Sequence, residues 1–164
     1  MYLPEQTYEL VRASVPIASV DLLPWRETDD GEREVLLIRR LDRRGSPCWC
    51  WIGGRIHIDE PIAEAARRHI AETVGTDLVT EPIVASHPDL VVEYQRTPRD
   101  DGPYDESQHS IGLTYLVETS GGELDPGGEA LEARWFPCAD LPEDDDFSFG
   151  QASSIRGLAL RAGA

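Results

Sequence analysis

The sequence predicts an α/β or α+β fold in which helices pack on a mixed β-sheet. Two apolar runs near the N-terminus are joined by the turn TDDG, and an amphipathic helical pattern follows them. Further strand patterns then alternate with turns before a C-terminal helix. At 164 residues, without an internal repeat, the chain is long enough to bury one core, so we expect a single domain over residues 1–164.

The first half of the chain contains three predicted strands and one predicted helix. Segments 15–25 and 33–41 are predicted as strands, and SPCWCWIGG as a short aromatic strand that ends in glycine. The stretch 61–74 has apolar residues at a helical period, with a proline in its first turn. Gly75 follows directly, which is typical of a helix end.

The second half is predicted to add three strands and a helix. Segments 81–96 and 110–120 have the composition of strands, and the acidic loop 97–107 separates them. Segment 130–142 predicts a final strand and a turn, and 153–162 a C-terminal helix.

The charge of the chain limits its partners. Thirty-one acidic residues against fifteen basic ones leave a formal net charge of −16, which argues against binding nucleic acid or an anionic membrane. All fifteen basic residues are arginines. Such a surface is typical of a halophilic protein adapted to high salt, although GC-rich coding also favours arginine over lysine. On so acidic a chain, clusters of arginine are the expected docking places for an anionic ligand.

Two further observations concern location and metal binding. No apolar run approaches the length of a membrane span, and the N-terminus lacks a basic region followed by an apolar block, so we expect a cytoplasmic protein. Cys48, Cys50 and Cys138 do not have the spacing of a zinc site, and we predict that they are core thiols.

Charged residues gather at the front of the predicted helix. Arg68 lies eight residues after Glu60 and four before Glu72, which lets one guanidinium tie the preceding loop to the helix. That bond would hold the loop rigid, with the carbonyl of Gly54 aimed inward. A glycine loop, a helix and several carboxylates suit a hard divalent ion such as Mg²⁺. The alternative is that these charges form an ordinary solvated helix face.

These residues resemble the box of the Nudix hydrolases, written G-x5-E-x7-R-E-U-x-E-E-x-G-U, in which U is a bulky aliphatic residue. The spacing is intact, and the matching positions are Gly54, Glu60, Arg68, Ile70, Glu72 and Gly75. His69 and Thr73 stand where the box has two further glutamates. The resemblance implies the Nudix fold, an α/β/α sandwich with a mixed sheet, and hydrolysis that uses Mg²⁺, with Mn²⁺ as the alternative ion.

Within that superfamily, residues 1 to 137 look most like the GDP-mannose mannosyl hydrolases, which also lack the first of these glutamates. Their N-terminal pattern of a "YL" start, a short helix and a strand carrying Asp is matched by Tyr2, Leu3 and Asp21. In that branch water attacks the anomeric carbon, so the glycosidic C–O bond breaks instead of a P–O bond. The resemblance therefore implies a nucleotide-sugar ligand and a homodimer.

The resemblance also implies a set of site residues. Arg40, Arg55 and Arg68 would either bind the diphosphate of the ligand or brace the loop of the box. The metal would be held by Gly54, Glu72 and Glu129. The catalytic candidates are Glu72, Glu129, Asp21, His87 and His109. The structure of the box would depend on Glu60, Arg68 and Gly75.

One departure from the branch leaves two hypotheses open. The branch has a metal-binding amide and a catalytic histidine at the positions that are Glu129 and Ala130 here, and an alanine cannot accept a proton. The first hypothesis is a metal-dependent hydrolase of a nucleoside diphosphate-linked compound, with a nucleotide sugar such as GDP-mannose as the leading substrate. The second is a ligand-binding or sensor module that has lost turnover with Thr73 and Ala130.

Overall fold

A computed structural model describes residues 3–75, 78–80, 87–98 and 102–163 of the chain. Its elements, in chain order, are α1 (Glu5–Ser14), β1 (Ile17–Glu27), β2 (Arg33–Leu41), β3 (Pro47–Cys50), β4 (Ile52–Arg55), α2 (Ile62–Val74), β5 (Val79–Thr80), β6 (Leu90–Tyr94), β7 (Ser110–Gly121), β8 (Glu132–Pro137) and α3 (Ala152–Ala162). A short 3-10 helix, Asp144–Asp146, precedes α3. No helix within these ranges is both long and apolar enough to cross a membrane.

The predicted fold class is confirmed, with most elements close to their expected positions. β2 has the predicted bounds, and α2 begins one residue after the predicted start. The aromatic segment was predicted as one strand, but it forms two, β3 and β4, which separate at Trp51 and pair with different neighbours. The N-terminal helix that the resemblance implied is α1. Tyr2 and residues 81–86 of a predicted strand lie outside the described residues.

Strand β1 is the centre of the mixed sheet. It pairs in parallel with β7, from Ile17 opposite Ser110 to Trp25 opposite Glu118, and antiparallel with β2 and β4. β2 in turn pairs with β3 and β8, and β7 with β5 and β6, all antiparallel. The parallel β1–β7 pair joins the two halves of the chain.

Both faces of the sheet are buried, as the alternation along β2 shows. Leu36 and Ile38 pack in the cluster that contains the apolar face of α2, whereas Val35 and Leu37 pack with α3. All four side chains are at most 1% exposed. Because successive strand residues point to opposite faces, this unbroken apolar run requires cover on both sides. The helices provide it, which makes the α/β/α sandwich.

Helix α2 packs on the sheet through one apolar face, and it ends at a glycine. Ala65, Ala66, Ile70 and Val74 are buried on one face against the sheet. Gly75 follows with φ 87°, a conformation that is strained for residues with a side chain. The small side chains of the two alanines allow the helix to lie close to β4 and β1.

Two glycines in neighbouring strands make room for the side chain of Asp21. Gly53 on β4 lies opposite Asp21 in the strand register, and Gly112 lies on β7 at the other side of β1. A Cβ atom at either glycine would clash with a carboxylate oxygen of Asp21, and one at Gly53 would also lie 2.6 Å from the carbonyl oxygen of Val20. The carboxyl group therefore occupies a gap in the sheet surface that only glycine leaves open.

We expect Gly112→Ala to destabilise the fold by about 1–3 kcal/mol, because the added methyl group overlaps the Asp21 carboxylate in a packed region. Urea unfolding measures the free energy of unfolding. Gly157→Ala in α3 is the matched control, since its added Cβ meets nothing within 4 Å and alanine favours a helix interior. Equal stability of the two variants would contradict this account of Gly112.

Candidate active site

One cavity brings several of the predicted site residues together. It has a volume of about 560 Å³, and Arg40, Gly54, Arg55 and Glu129 are among its lining residues. A narrower pocket of about 140 Å³ shares these four residues and reaches Asp21. We call the two together the arginine cavity. A separate cavity of about 460 Å³, beside α3 and the end of β8, contains none of the predicted site residues.

Asp21 is a buried carboxyl group on the floor of the arginine cavity. It is 6% exposed, and the Tyr94 hydroxyl donates a hydrogen bond to its Oδ2 at 3.2 Å. The Gln151 amide donates in turn to the Tyr94 oxygen at 3.0 Å. Burial raises the pKa of Asp21 to about 7, against the opposing effect of the Tyr94 hydrogen bond. The carboxyl group is therefore suited to exchange a proton near neutral pH.

Arg40 comes from the end of β2 and forms one wall of the cavity. Its Nη1 lies 2.7 Å from Oε2 of Glu129, and its guanidinium carbon lies 5.4 Å from the centre of the Phe149 ring. Its side chain is 28% exposed, and its Nε atom is buried without a hydrogen-bond partner among the described residues. Arg40 thus keeps donor capacity beyond its ion pair with Glu129.

Arg55 and Tyr8 of α1 also line the cavity. The guanidinium carbon of Arg55 lies 4.0 Å from the centre of the Tyr8 ring, within the range of a cation–π contact. The Tyr8 hydroxyl donates to Oε1 of Gln108 at 2.8 Å, which links α1 to the segment before β7. The N-terminal helix therefore helps to position an arginine of the site.

A strained residue lies beside Arg40. Phe149 has φ 57°, in the left-handed region that an aromatic residue rarely adopts, and Gly150 follows with φ 63°. Such strain costs on the order of 1–3 kcal/mol and is common at functional sites. Phe149 lines the arginine cavity, so the strained backbone presents an aromatic ring to the guanidinium.

Arg68 and Glu60 connect α2 to the loop that precedes it. Arg68 donates from Nε to Oε1 and from Nη2 to Oε2 of Glu60, both at 2.8 Å, and from Nη2 to the carbonyl oxygen of Arg55 at 3.1 Å. The two side chains are only 19% and 15% exposed. The Arg68 hydrogen bonds lower the pKa of Glu60 to about 2. This contact holds the backbone at Arg55 and thereby the cavity wall.

Other predicted residues lie away from the cavity lining. Glu72 is on the outer part of α2, 47% exposed, with Oε2 3.5 Å from Nη1 of Arg68. His87 is exposed, and His109 is 38% exposed with Nε2 3.0 Å from Oε1 of Glu93. Neither histidine lines the described parts of the arginine cavity. The structure therefore groups Asp21 and Glu129 but not the other three catalytic candidates.

The residues expected to hold a divalent ion do not form a ligand set. Nowhere in the described ranges do three or more His, Cys, Asp or Glu side chains come together as a metal site. The carboxylates of Glu129 and Glu72 are paired with Arg40 and Arg68. Both carboxylates thus have cationic partners already, and Gly54 offers only a carbonyl oxygen.

The two positions that depart from the Nudix box do not supply the missing ligands. Thr73 is 6% exposed, and its hydroxyl is neutral. The Nε2 atom of His69 donates to the carbonyl oxygen of Arg55 at 3.1 Å, and its ring lies against Gly54. A hard ion such as Mg²⁺ prefers several charged oxygen ligands. Within the described part of the chain, this donor set is therefore not by itself a divalent metal centre.

Four residues of the site were not predicted from the sequence. Tyr94 on β6 donates to Asp21, Gln151 just before α3 donates to Tyr94, Phe149 contacts Arg40, and Tyr8 contacts Arg55. Apart from Phe149 and Gln151, which are two positions apart, they are distant along the chain, and no motif links them. The sequence FSFGQ contains a glycine and two aromatic residues, but composition alone does not reveal the positive φ of Phe149.

Two solved structures share this architecture. The crystal structure of a possible asymmetric diadenosine tetraphosphate hydrolase from Jonesia denitrificans has a TM-score of 0.80 at 26% identity, covering 92% of this chain and 96% of that chain. The NUDIX domain of Shewanella oneidensis NrtR, solved with ADP ribose, has a TM-score of 0.61 at 19% identity, covering 97% of this chain and 98% of that one. The second likeness concerns the fold alone.

In sequence, the chain is 30% identical over 114 residues to the ADP-ribose pyrophosphatase of Methanocaldococcus jannaschii. The alignment covers 68% of this chain and 59% of that relative. Across the curated relatives it matches, the chain spans from 33% to 59% of their length.

The architecture is that of the Nudix fold, as in the NUDIX domain of NrtR. Residues 1–157 match the family described as a domain of unknown function, DUF4916. The chain belongs to that family.

Proposed function

We propose that this protein binds a nucleoside diphosphate-linked compound in the arginine cavity and hydrolyses it. The observation that carries the proposal is the convergence of Arg40, Arg55 and the buried carboxyl group of Asp21 on one cavity. Guanidinium groups suit adjacent phosphates because each presents several donors in a fixed plane. On a chain with a net charge of −16, such a pair is a distinctive place for an anion.

In the proposed reaction Asp21 transfers the proton. Its carboxylate takes a proton from the attacking water, whose oxygen forms the new bond to phosphorus or to the anomeric carbon. The leaving oxygen departs with the electrons of the broken bond and receives a proton from the carboxyl group, which completes the hydrolysis. Tyr94 orients Asp21 throughout by its hydrogen bond, and Arg40 and Arg55 neutralise the phosphates.

A nucleotide sugar is the substrate class that we propose. The M. jannaschii relative is named for ADP-ribose, and the NrtR domain was solved with ADP ribose, a nucleoside diphosphate joined to a sugar. GDP-mannose, which the sequence resemblance implies, belongs to the same class. The J. denitrificans relative is named for diadenosine tetraphosphate, which shares the nucleotide and the phosphate chain but has no terminal sugar.

A panel of ADP-ribose, GDP-mannose and diadenosine tetraphosphate in ¹⁸O water tests the proposal, with products resolved by mass spectrometry. Parallel reactions contain Mg²⁺, Mn²⁺ or EDTA, and each is run at low and high salt. We expect turnover of a nucleotide sugar. ¹⁸O on the sugar establishes C–O cleavage, and ¹⁸O on phosphate establishes P–O cleavage. Absence of turnover on any compound with any ion contradicts the hydrolase proposal.

One observation favours a second candidate, a ligand-binding or sensor module. Glu72 and Glu129 are both paired with arginines, and Thr73 and His69 replace two glutamates of the box, so the metal set that the superfamily resemblance implies is incomplete. Binding of a nucleotide sugar requires the arginines but not that set. Calorimetric binding of ADP-ribose or GDP-mannose without turnover identifies this candidate.

Other expectations from the sequence stay predictions. They are a homodimer, a cytoplasmic location, adaptation to high salt, and use of Mg²⁺ or Mn²⁺. Analytical ultracentrifugation at several salt concentrations tests the first and the third together.

A further inference from the structure

Glu129 is held opposite Arg40 by its own backbone. The turn before it donates from the Gly127 nitrogen to the carbonyl oxygen of Thr73 at 3.0 Å, which attaches the turn to the end of α2. After it, the Leu131 nitrogen donates to the carbonyl oxygen of Arg39 at 2.8 Å. The backbone on both sides of Glu129 is thus anchored. Its carboxylate contacts the guanidinium of Arg40, which follows Arg39 in β2.

The contact joins two side chains that line the cavity. The Nη1–Oε2 distance of 2.7 Å is that of a charge-assisted hydrogen bond. Both residues line the same cavity as Arg55, and the Glu129 side chain is still 42% exposed. A carboxylate therefore sits where an anionic ligand would approach Arg40, and it has open space into which it can turn.

The other charged groups around the cavity are engaged differently. Asp105 also lines it, but its Oδ1 accepts hydrogen bonds from Ser107 and lies 3.3 Å from Nε of Arg43. Asp21 bonds to Tyr94. Among the described carboxylates of the lining, Glu129 is the one that contacts an arginine proposed to bind phosphate. Its carboxylate has the Arg40 guanidinium as its partner, at 2.7 Å.

We propose that Glu129 is a built-in competitor for phosphate at Arg40, so that ligand binding exchanges the Glu129 carboxylate for a phosphoryl group of the ligand. This inference rests on the proposed function, because it takes the arginine cavity to be the phosphate site. It assigns Glu129 a role opposite to that of a metal ligand. A competitor weakens anion binding, whereas a metal ligand strengthens it.

Two substitutions of Glu129 show whether the negative charge alone, or the direct contact with Arg40, weakens phosphate binding. Glu129→Gln removes the negative charge, and Glu129→Asp keeps the charge but shortens the side chain, which withdraws the carboxylate from Arg40. Isothermal titration calorimetry with inorganic pyrophosphate, in EDTA, measures the dissociation constants. We expect both variants to bind roughly fivefold more tightly than the wild type, which corresponds to the loss of a half-exposed ion pair. Glu64→Gln, on the exposed face of α2, is the control and should bind like the wild type.

The outcomes separate this inference from the proposed function. If Glu129→Asp binds no more tightly than the wild type, or if either Glu129 variant binds more weakly, the competitor role is wrong. Arg40→Gln tests the site itself and should raise the dissociation constant about tenfold or more. If Arg40→Gln binds pyrophosphate like the wild type, or if no variant binds it, the cavity is not a phosphate site and both proposals fail.

Discussion

Replacing Asp21 with asparagine is expected to lower kcat by about 100-fold or more, with little change in KM, on the nucleoside diphosphate compound that the protein turns over. Asparagine has nearly the same shape and still accepts the Tyr94 hydrogen bond, but it cannot take a proton from water. Steady-state kinetics on the substrate found in the panel measure the effect. A loss confined to KM would show that Asp21 binds the ligand without transferring a proton.

The pH dependence provides a second test of the same residue. Because burial raises the pKa of Asp21 to about 7, we expect kcat/KM to rise as the pH increases through about 7 and the carboxyl group loses its proton. The Tyr94 hydrogen bond lowers that pKa. Tyr94→Phe should therefore move the rise in kcat/KM to higher pH. An unchanged profile in this variant would mean that another group controls the reaction.

Asp21→Asn, which is expected to lower kcat, should in contrast increase the stability of the fold. The folded-state pKa of Asp21 is raised from 3.8 to about 7, so its protonated form favours folding below the lower value, and this contribution is lost as the pH rises through the higher one. Near pH 8 the folded chain holds a buried, unneutralised carboxylate. Asp21→Asn should then raise the free energy of unfolding by roughly 4 kcal/mol, and by much less near pH 4. Urea unfolding at both pH values measures the difference.

Arg68→Gln should destabilise the fold by about 3 kcal/mol, because it leaves the Glu60 carboxylate largely buried without its bidentate partner. It also removes a donor from the carbonyl oxygen of Arg55, so binding of pyrophosphate should weaken along with stability. The double variant Glu60→Gln/Arg68→Gln should be more stable than Arg68→Gln alone, since no unpaired charge remains. Thermal and urea unfolding compare the three proteins.

The neighbouring ion pair on α2 is the matched control. Arg67 pairs with Glu64 at the helix surface, where both side chains are more than half exposed, and Arg67→Gln should change stability by less than about 0.5 kcal/mol. The pH dependence also differs. Because Arg68 lowers the pKa of Glu60 from 4.5 to about 2, wild-type stability should fall as the pH drops through that range. This fall should be smaller in Arg68→Gln and unchanged in Arg67→Gln.

Local pattern was sufficient for most of the secondary structure. The apolar run in β2 and the helical period in α2 predicted elements within a residue of those observed, because both are buried on the faces that their periods define. The pattern did not separate β3 from β4. Trp51 is 3% exposed in a continuous apolar segment, and only the pairing of the two strands with β2 and β1 shows the break.

Less of the site than of the fold could be predicted from the sequence. The spacing of Glu60 and Arg68 implied that they meet, and they do so in the structure, since residues of one loop and one helix constrain each other locally. The same spacing suggested Glu72 as part of the site, but Glu72 lies on the outer part of the helix. Helical periodicity does not specify where a cavity borders the helix.

The amino-acid order alone established a helix and strands with buried apolar faces, the loop-to-helix bond of Glu60 and Arg68, and the excess of negative charge. These properties depend on local spacing and on composition. The folded chain decided which groups share the arginine cavity: Asp21 lies in a gap between two glycines of other strands, and Glu129 lies against Arg40. Those contacts join residues distant in sequence, and they arise because strand pairing and burial set the position, the protonation and the charge partner of each group.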